Sequence, residues 1–366
     1  MMMTSLDVEI LVTLSGFIIM AIASLGGGNN TYRNNSIIYP ETSSLLKAFC
    51  CILIVCHHFS LRADGGLIRR LIAMGGGTFS LVIFLLLSSY GIAMSERNHP
   101  TTLIQYSKKR ILKILKPYTL ITIVSIVIYY TIGADAPSEE LTANRISQAF
   151  VYIGQHKSGL IDMLYYLIGI KTFDGAMWFV GVTVYSYVAF GLSKYASKGV
   201  QNCGAQKRVF IIYCLLIALF AFSTFELNFP AHYYRNLWAL PLGLWLALYG
   251  NKVQGFTVKK TIVTLIELNM MIFLWLKITS SGNIMYLVFS NIALGSIWLC
   301  NRLFDRYSLK KGSLIVTLAG LSYYVYLIHI KVLTIEWWYI GYKTLLLPLI
   351  IILILSFVYS KNKKLT

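Results

Sequence analysis

The chain has 366 residues, 57% of them hydrophobic and only 13% charged, with a mean hydropathy of +0.67. A soluble domain carries about a quarter charged residues, so this composition excludes an ordinary soluble fold. The net charge of +18 would point to nucleic acid in a soluble protein. Its distribution along this chain argues otherwise, and no nucleic-acid partner is expected.

Apolar runs long enough to cross a bilayer recur from end to end. Backbone N–H and C=O groups find no partners in lipid, so such runs must be helical. The predicted fold is all-α: a polytopic transmembrane helical bundle of about 10–11 spans, near 10–27, 45–60, 71–94, 117–133, 176–193, 209–225, 236–250, 259–276, 284–304, 313–330 and 341–360. Asp7 and Glu9 precede the first span and no basic residue does. It therefore lacks the start of a cleavable signal peptide and is expected to be retained, with its N-terminus outside.

Assigning alternate loops to the cytoplasm places 22 of the 32 lysines and arginines there, including Arg97, Lys108, Lys109, Arg110, Lys113 and Lys116 in a single loop. Asp135, Glu139, Glu140, Asp162, Asp174, Glu226 and Glu336 fall outside. This is the positive-inside pattern, and it accounts for most of the basic excess. The longest stretch between spans, about 134–175, lies outside and is apolar and aromatic. It reads as interfacial or re-entrant helices, either a lid or acceptor surface or a plain packing cap.

The six cysteines (Cys50, Cys51, Cys56, Cys203, Cys214 and Cys300) lie in or beside apolar helices without metal-like spacing. Neither a disulfide framework nor a bound metal is expected. Glu267 stands alone within a span and reads as a buried, hydrogen-bonded acid.

The second span carries the chemistry. In "SSLLKAFCCILIVCHHFSLR", Ser43–Arg62, Lys47 opens the apolar run and His57 and His58 end it. Lys47 and His58 are eleven residues apart, three helical turns to within about 20°, so they share one helix face about 16 Å apart. His57 projects about 100° away from His58. Alternatively, Lys47 snorkels at a span's entry and His58 rests at the interface. A second histidine, His329, lies at the outer end of its span, at the depth of His58. Ionisable groups at such depth are usually functional.

Further pieces follow in order: "GGGTFSLVIFLLLSSYGIAM" (Gly75–Met94), "YSKKRILKILKPY" (Tyr106–Tyr118), "DGAMWFVGVTVYSY" (Asp174–Tyr187), "YYRNLWALPLGLWLALYG" and "LSYYVYLIHI" (Leu321–Ile330). Together with Lys47 and His58 they resemble the acyltransferase family 3 membrane proteins, which O-acylate cell-surface polysaccharides and related glycans. The resemblance covers about residues 43–360 of a single integral-membrane domain (1–366), leaving 1–42 as an additional N-terminal span and loop. The family's first motif sets an arginine and a histidine ten intervening residues apart, which makes His58 the matching histidine. Lys47 replaces the arginine, keeping the charge without the planar fork that grips phosphate in two places. Ser89 stands where the family usually has glycine, and Arg110 and Lys113 match a two-arginine pattern.

The resemblance implies transfer of an acyl group, usually acetyl, from cytoplasmic acyl-CoA (acetyl-CoA) to a hydroxyl of an extracytoplasmic or lipid-linked glycan. It implies a bacterial cytoplasmic membrane and no permanently bound cofactor. It places Lys47, Arg110 and Lys113 at the CoA end and makes His58 and His329 the catalytic candidates. Ser88, Trp178, Tyr326 and His329 are the residues from which substrate or oxyanion contacts would come. Alternatives are a transporter or flippase of glycan precursors using the histidines as proton relays, and a catalytically silent family member. Neither an inverted repeat nor paired Gly/Pro-broken helices support the transporter.

Overall fold

The computed structural model describes residues 4–27, 37–61, 63, 66–128, 160–169, 177–227, 229–253, 258–279, 284–340 and 344–361. Helix α1 (Ser5–Ala23) starts with a reciprocal capping box between Thr4 and Asp7 and leads into strand β1 (Leu25–Gly27). Helices α2 (Pro40–Ser60) and α3 (Leu67–Asn98) follow. Pro40 sits in the first turn of α2, where its missing N–H costs nothing.

The short α4 (Leu103–Tyr106) runs into a π-helical turn, Ser107–Ile111, and then into α5 (Leu112–Ile128). Next come α6 (Leu160–Leu167), α7 (Trp178–Ala196) and α8 (Cys203–Glu226). A 3₁₀ turn, Ala231–Tyr233, precedes α9 (Ala239–Val253), α10 (Val258–Ile278) and α11 (Ile284–Phe304). Strand β2 (Tyr307–Leu309), α12 (Leu314–Ile340) and α13 (Leu346–Lys361) complete the chain.

Each of the eleven predicted apolar windows overlaps a helix among the described residues. Six helices among the described residues are long and apolar enough to cross a membrane: α1, α2, α3, α8, α11 and the Leu314–Leu333 part of α12. The outer surface is studded with exposed Ile18, Ile19, Ile22, Leu215, Leu219, Phe222, Ile350 and Ile354. Water would not tolerate so extensive an apolar surface; lipid does. The protein is a multi-pass helical membrane protein.

Contacts between helix ends agree with the alternating topology. Strands β1 and β2 pair antiparallel, with Gly26 opposite Ser308, tying the exit of α1 to the exit of α11. At the opposite side, the Asp7 carboxylate accepts the Arg69 amide, 2.9 Å, in the first turn of α3. Glu9 likewise accepts the Leu345 amide at the start of α13. Helix α1 thus satisfies orphan N–H groups on two neighbouring helices.

Helices α2 and α3 form the centre, packed by α9, α11 and α12. Small residues set how closely they approach. A Cβ on Gly243 of α9 would lie 2.2 Å from the Leu86 carbonyl oxygen of α3. Ser89 is buried opposite it and donates to the Leu85 and Leu86 carbonyls. The close approach that a glycine at position 89 would allow is provided by Gly243 from the other helix.

Two expectations meet the structure differently. Glu267 is exposed on the outer face of α10, not a buried acid. Of the proposed lid, about 134–175, only α6 and the two residues after it lie within the described residues.

The topology is checked at Cys203, the exposed cysteine at the start of α8. A membrane-impermeant maleimide should label it only after the membrane is opened. Labelling in intact cells would invert the assignment.

Candidate active site

A cavity of about 330 Å³ opens among α2, α3, the π-helical turn, α5, α7 and α12. Lys47, Lys109, Arg110 and Lys113 line its inner end. Ser88 and Phe84 come from α3, and Phe179, Thr183 and Tyr187 form an i, i+4, i+8 stripe on α7. Helix α12 contributes Gly320, Ser322, Tyr323 and Tyr326 among others. No aspartate or glutamate is among the described lining residues, and none of the four cations is ion-paired among the described residues. Four uncompensated positive charges around one cavity make an anion site.

The π-helical turn has a specific part in this. One extra residue per turn is a recognised device for re-aiming side chains at functional sites. Here it brings Lys109 and Arg110 into the cavity that Lys113, one turn later, also lines. The turn is fixed from below by Tyr106, which is fully buried and donates to the Tyr187 carbonyl, 2.8 Å. A Cβ on Gly191 would lie 2.9 Å from the Tyr106 ring, so the glycine makes room for it.

At the other end of the cavity, Tyr326 accepts the Phe179 amide from the first turn of α7, 3.2 Å. One helical turn beyond Tyr326 lies His329, fully buried, with ring centres 5.7 Å apart. The His329 Nδ1–H donates to the Tyr326 carbonyl, 2.7 Å, and to that of Val325, 3.2 Å. A carbonyl can only accept, so Nδ1 carries the proton and in the neutral ring Nε2 carries the lone pair. Neutral His329 is therefore an acceptor at Nε2. The His58 ring centre is 5.0 Å from that of His329.

His57 goes elsewhere. Its Nδ1–H donates to the Ile72 carbonyl, 3.0 Å, and its ring lies against Gly77, where a Cβ would be 2.6 Å from Nε2. His57 fastens α2 to the glycine-rich stretch of α3, while His58 faces α12. The 100° between neighbouring helical residues becomes two separate tasks.

Of the residues singled out in the sequence, Lys47, Arg110, Lys113, Ser88 and Tyr326 gather around one cavity, and His58 and His329 pair just past its outer end. Ser88 donates to the Tyr187 hydroxyl, 3.0 Å, on the cavity wall. Trp178 is not brought to the cavity lining. It packs on His232 and Tyr233, with ring centres 4.8 and 5.4 Å away. Burial, reinforced by the nearby Arg235 charge, pushes the His232 pKa down to about 4, so this ring is a neutral stacking surface near pH 7. Lys109, Phe179, Thr183, Tyr187 and Tyr323 were not anticipated. The spacing of 179, 183 and 187 on one helical face was the available signal.

The site thus joins a cationic cavity to a pair of histidines on two spans, half-buried His58 and fully buried His329. The family model described as an acyltransferase domain matches residues 43–360, nearly the whole chain, and the protein belongs to that family. No match is found among curated proteins or among solved structures. Family membership makes this an acyltransferase embedded in a membrane.

His58→Ala is expected to lower acyl transfer by about a hundredfold to ten-thousandfold, the usual cost of losing a general base. Yield and membrane insertion should be unchanged. His57→Ala should lower stability more than turnover, because it removes a tie between α2 and α3. Turnover assays and thermal melts of both purified variants check the assignment. Reversed effects would exchange the two roles.

Proposed function

We propose that the protein transfers an acyl group, most simply acetyl, from cytoplasmic acyl-CoA to a hydroxyl of an extracytoplasmic or lipid-linked glycan, in a bacterial cytoplasmic membrane. The observation that carries this reading is the one cavity with four cations and no carboxylate among its described lining residues, ending beside the His58–His329 pair. CoA is a phosphate-rich carrier with a long neutral arm and a thioester at its tip. Its charged end fits Lys47, Lys109, Arg110 and Lys113, and its arm fits the uncharged wall of Phe84, Ser88, Thr183 and Tyr187. Lys47 and His58, about 16 Å apart along α2, then serve opposite ends of one donor.

In this scheme the acceptor hydroxyl gives its proton to the histidine pair, with His58 as base, as its oxygen attacks the thioester carbonyl carbon. An alcohol needs such a base within hydrogen-bond reach to become an effective nucleophile. An imidazole that titrates near neutrality suits the task. The Tyr326 hydroxyl supports the negative charge that develops on the carbonyl oxygen. Tyr326 is itself anchored to the N-terminal turn of α7, whose dipole favours negative charge. Collapse of the tetrahedral intermediate breaks the C–S bond, and the CoA sulfur leaves with the proton from the histidinium. Products are the acylated hydroxyl and free CoA.

Acetyl-CoA titrations of parent, Lys47→Ala and Lys47→Arg test the donor end. Lys47→Ala should weaken binding by about ten- to a hundredfold, the worth of a hydrogen bond to a charged group. Lys47→Arg should bind as well or better, since a guanidinium matches phosphate geometry. Added salt should weaken the parent more than Lys47→Ala, because one screened attraction is already gone. A lysine that only snorkels predicts equal affinities for parent and Lys47→Ala, and that result would overturn the donor site.

A further inference from the structure

The loop between α3 and α4 is held by an ion pair between Glu96 of α3 and Lys194 of α7 that lines no part of the cationic cavity. Glu96, in the last turns of α3, is fully buried. Its carboxylate accepts the Thr101 amide, 3.1 Å, the Thr101 hydroxyl at 2.8 and 3.0 Å, and the Lys194 ammonium of α7, 2.5 Å. The Lys194 ammonium donates a second bond to the Thr101 carbonyl, 2.5 Å. Thr101 is therefore held at its N–H, its hydroxyl and its C=O by two charged side chains from two different helices.

The segment so held leads directly to the cations. Thr102 is the N-cap of α4, bonded to the Gln105 amide in a capping box. From there the chain is continuously helical through Tyr106 to the π-helical turn that bears Lys109 and Arg110. Tyr106, one helical turn after the cap, seats against Gly191 and lies 5.7 Å beneath the Lys194 ammonium. Lys194 thus touches both the start of α4 and its single buried aromatic. Leu103–Tyr106 is the first turn of one uninterrupted helical stretch that continues through the π-helical turn to Ile128. A tie at its start therefore bears on where the π-helical turn is held.

We propose that Glu96, Lys194 and Thr101 form a positioning clamp for acyl-CoA recognition, fixing the π-helical turn so that Arg110 meets the donor's phosphates; this rests on the donor reading of the cavity. None of the three touches the reacting atoms. The clamp acts through Arg110, and it sets donor affinity rather than the chemical step.

The test uses full-length protein in detergent with acetyl-CoA, measuring binding by titration and turnover by slow hydrolysis with water as acceptor. Glu96→Gln should raise the KM for acetyl-CoA about tenfold or more, with kcat within about twofold of the parent, as expected for a misplaced binding group remote from the reacting carbon. Glu96→Asp, which keeps the charge, should recover part of the loss.

The double variant Glu96→Gln/Arg110→Ala should have the KM of Arg110→Ala alone, because residues acting through one contact are not additive. Additive effects, an unchanged KM in Glu96→Gln, or a fall confined to kcat would each overturn the clamp. If Glu96→Gln fails to fold, Thr101→Val replaces it, removing the hydroxyl bond while keeping the backbone ties. Its KM should rise about threefold, and a parent-like value overturns the proposal. A parent-like KM in Arg110→Ala would overturn the donor reading and the clamp with it. A raised KM there beside a parent-like Glu96→Gln would sink the clamp alone.

Discussion

Mutual repulsion among Lys47, Lys109, Arg110 and Lys113 shapes the rest of the site. Like charges gathered in a partly enclosed, low-dielectric space repel strongly, and the desolvation of each adds to the cost. A neighbouring carboxylate would relieve this, but no aspartate or glutamate is among the described lining residues. Glu96 is committed to Lys194 and Thr101 on the far side of the π-helical turn. The cavity is left with its charge unbalanced, so an anionic ligand has the most to gain by entering it.

Holding such an arrangement together requires tight helix packing elsewhere. Helices in lipid gain little from hydrophobic association and rely on close contact and polar ties. Gly243 lets α9 press onto the Leu86 carbonyl, and Gly75 and Gly77 of α3 admit Phe289 and His57. Asp7 and Glu9 of α1 cap α3 and α13, while Tyr323 and Tyr359 donate to the carbonyls of Ile114 and Pro117 on α5. These ties hold elements around the cavity, beside which the His58 and His329 ring centres lie 5.0 Å apart.

Much of this was legible in the chain. Apolar run length fixed the helices because lipid permits little else, and the eleven-residue spacing of Lys47 and His58 fixed their common face. Motif order collected Arg110, Lys113, Ser88 and Tyr326, which the fold brings to one cavity. The π-helical turn was not legible: its basic residues read equally well as positive-inside charge, and one inserted residue leaves no mark in a periodic pattern. Phe179 and Tyr187 lay inside a motif, Asp174–Tyr187, but were not singled out from it. His57 and His58 could be separated by angle, but only packing shows that one faces a glycine stretch and the other a second histidine. Trp178, a substrate-contact candidate by its motif, packs on His232, a contact between residues distant in sequence.

The central claim is that one donor runs from the four cations to the histidine pair. An acyl-CoA whose acyl tail carries a photoreactive diazirine, irradiated with the protein and mapped by peptide mass spectrometry, tests it most directly. The account predicts labels on α7 and α12 at Phe179, Tyr326 and His329, with inorganic pyrophosphate or free CoA competing them away. Labels confined to the lipid-facing surface, or to the inner ends of α4 and α5 beside the cations, would show that the acyl group never reaches His58 and His329.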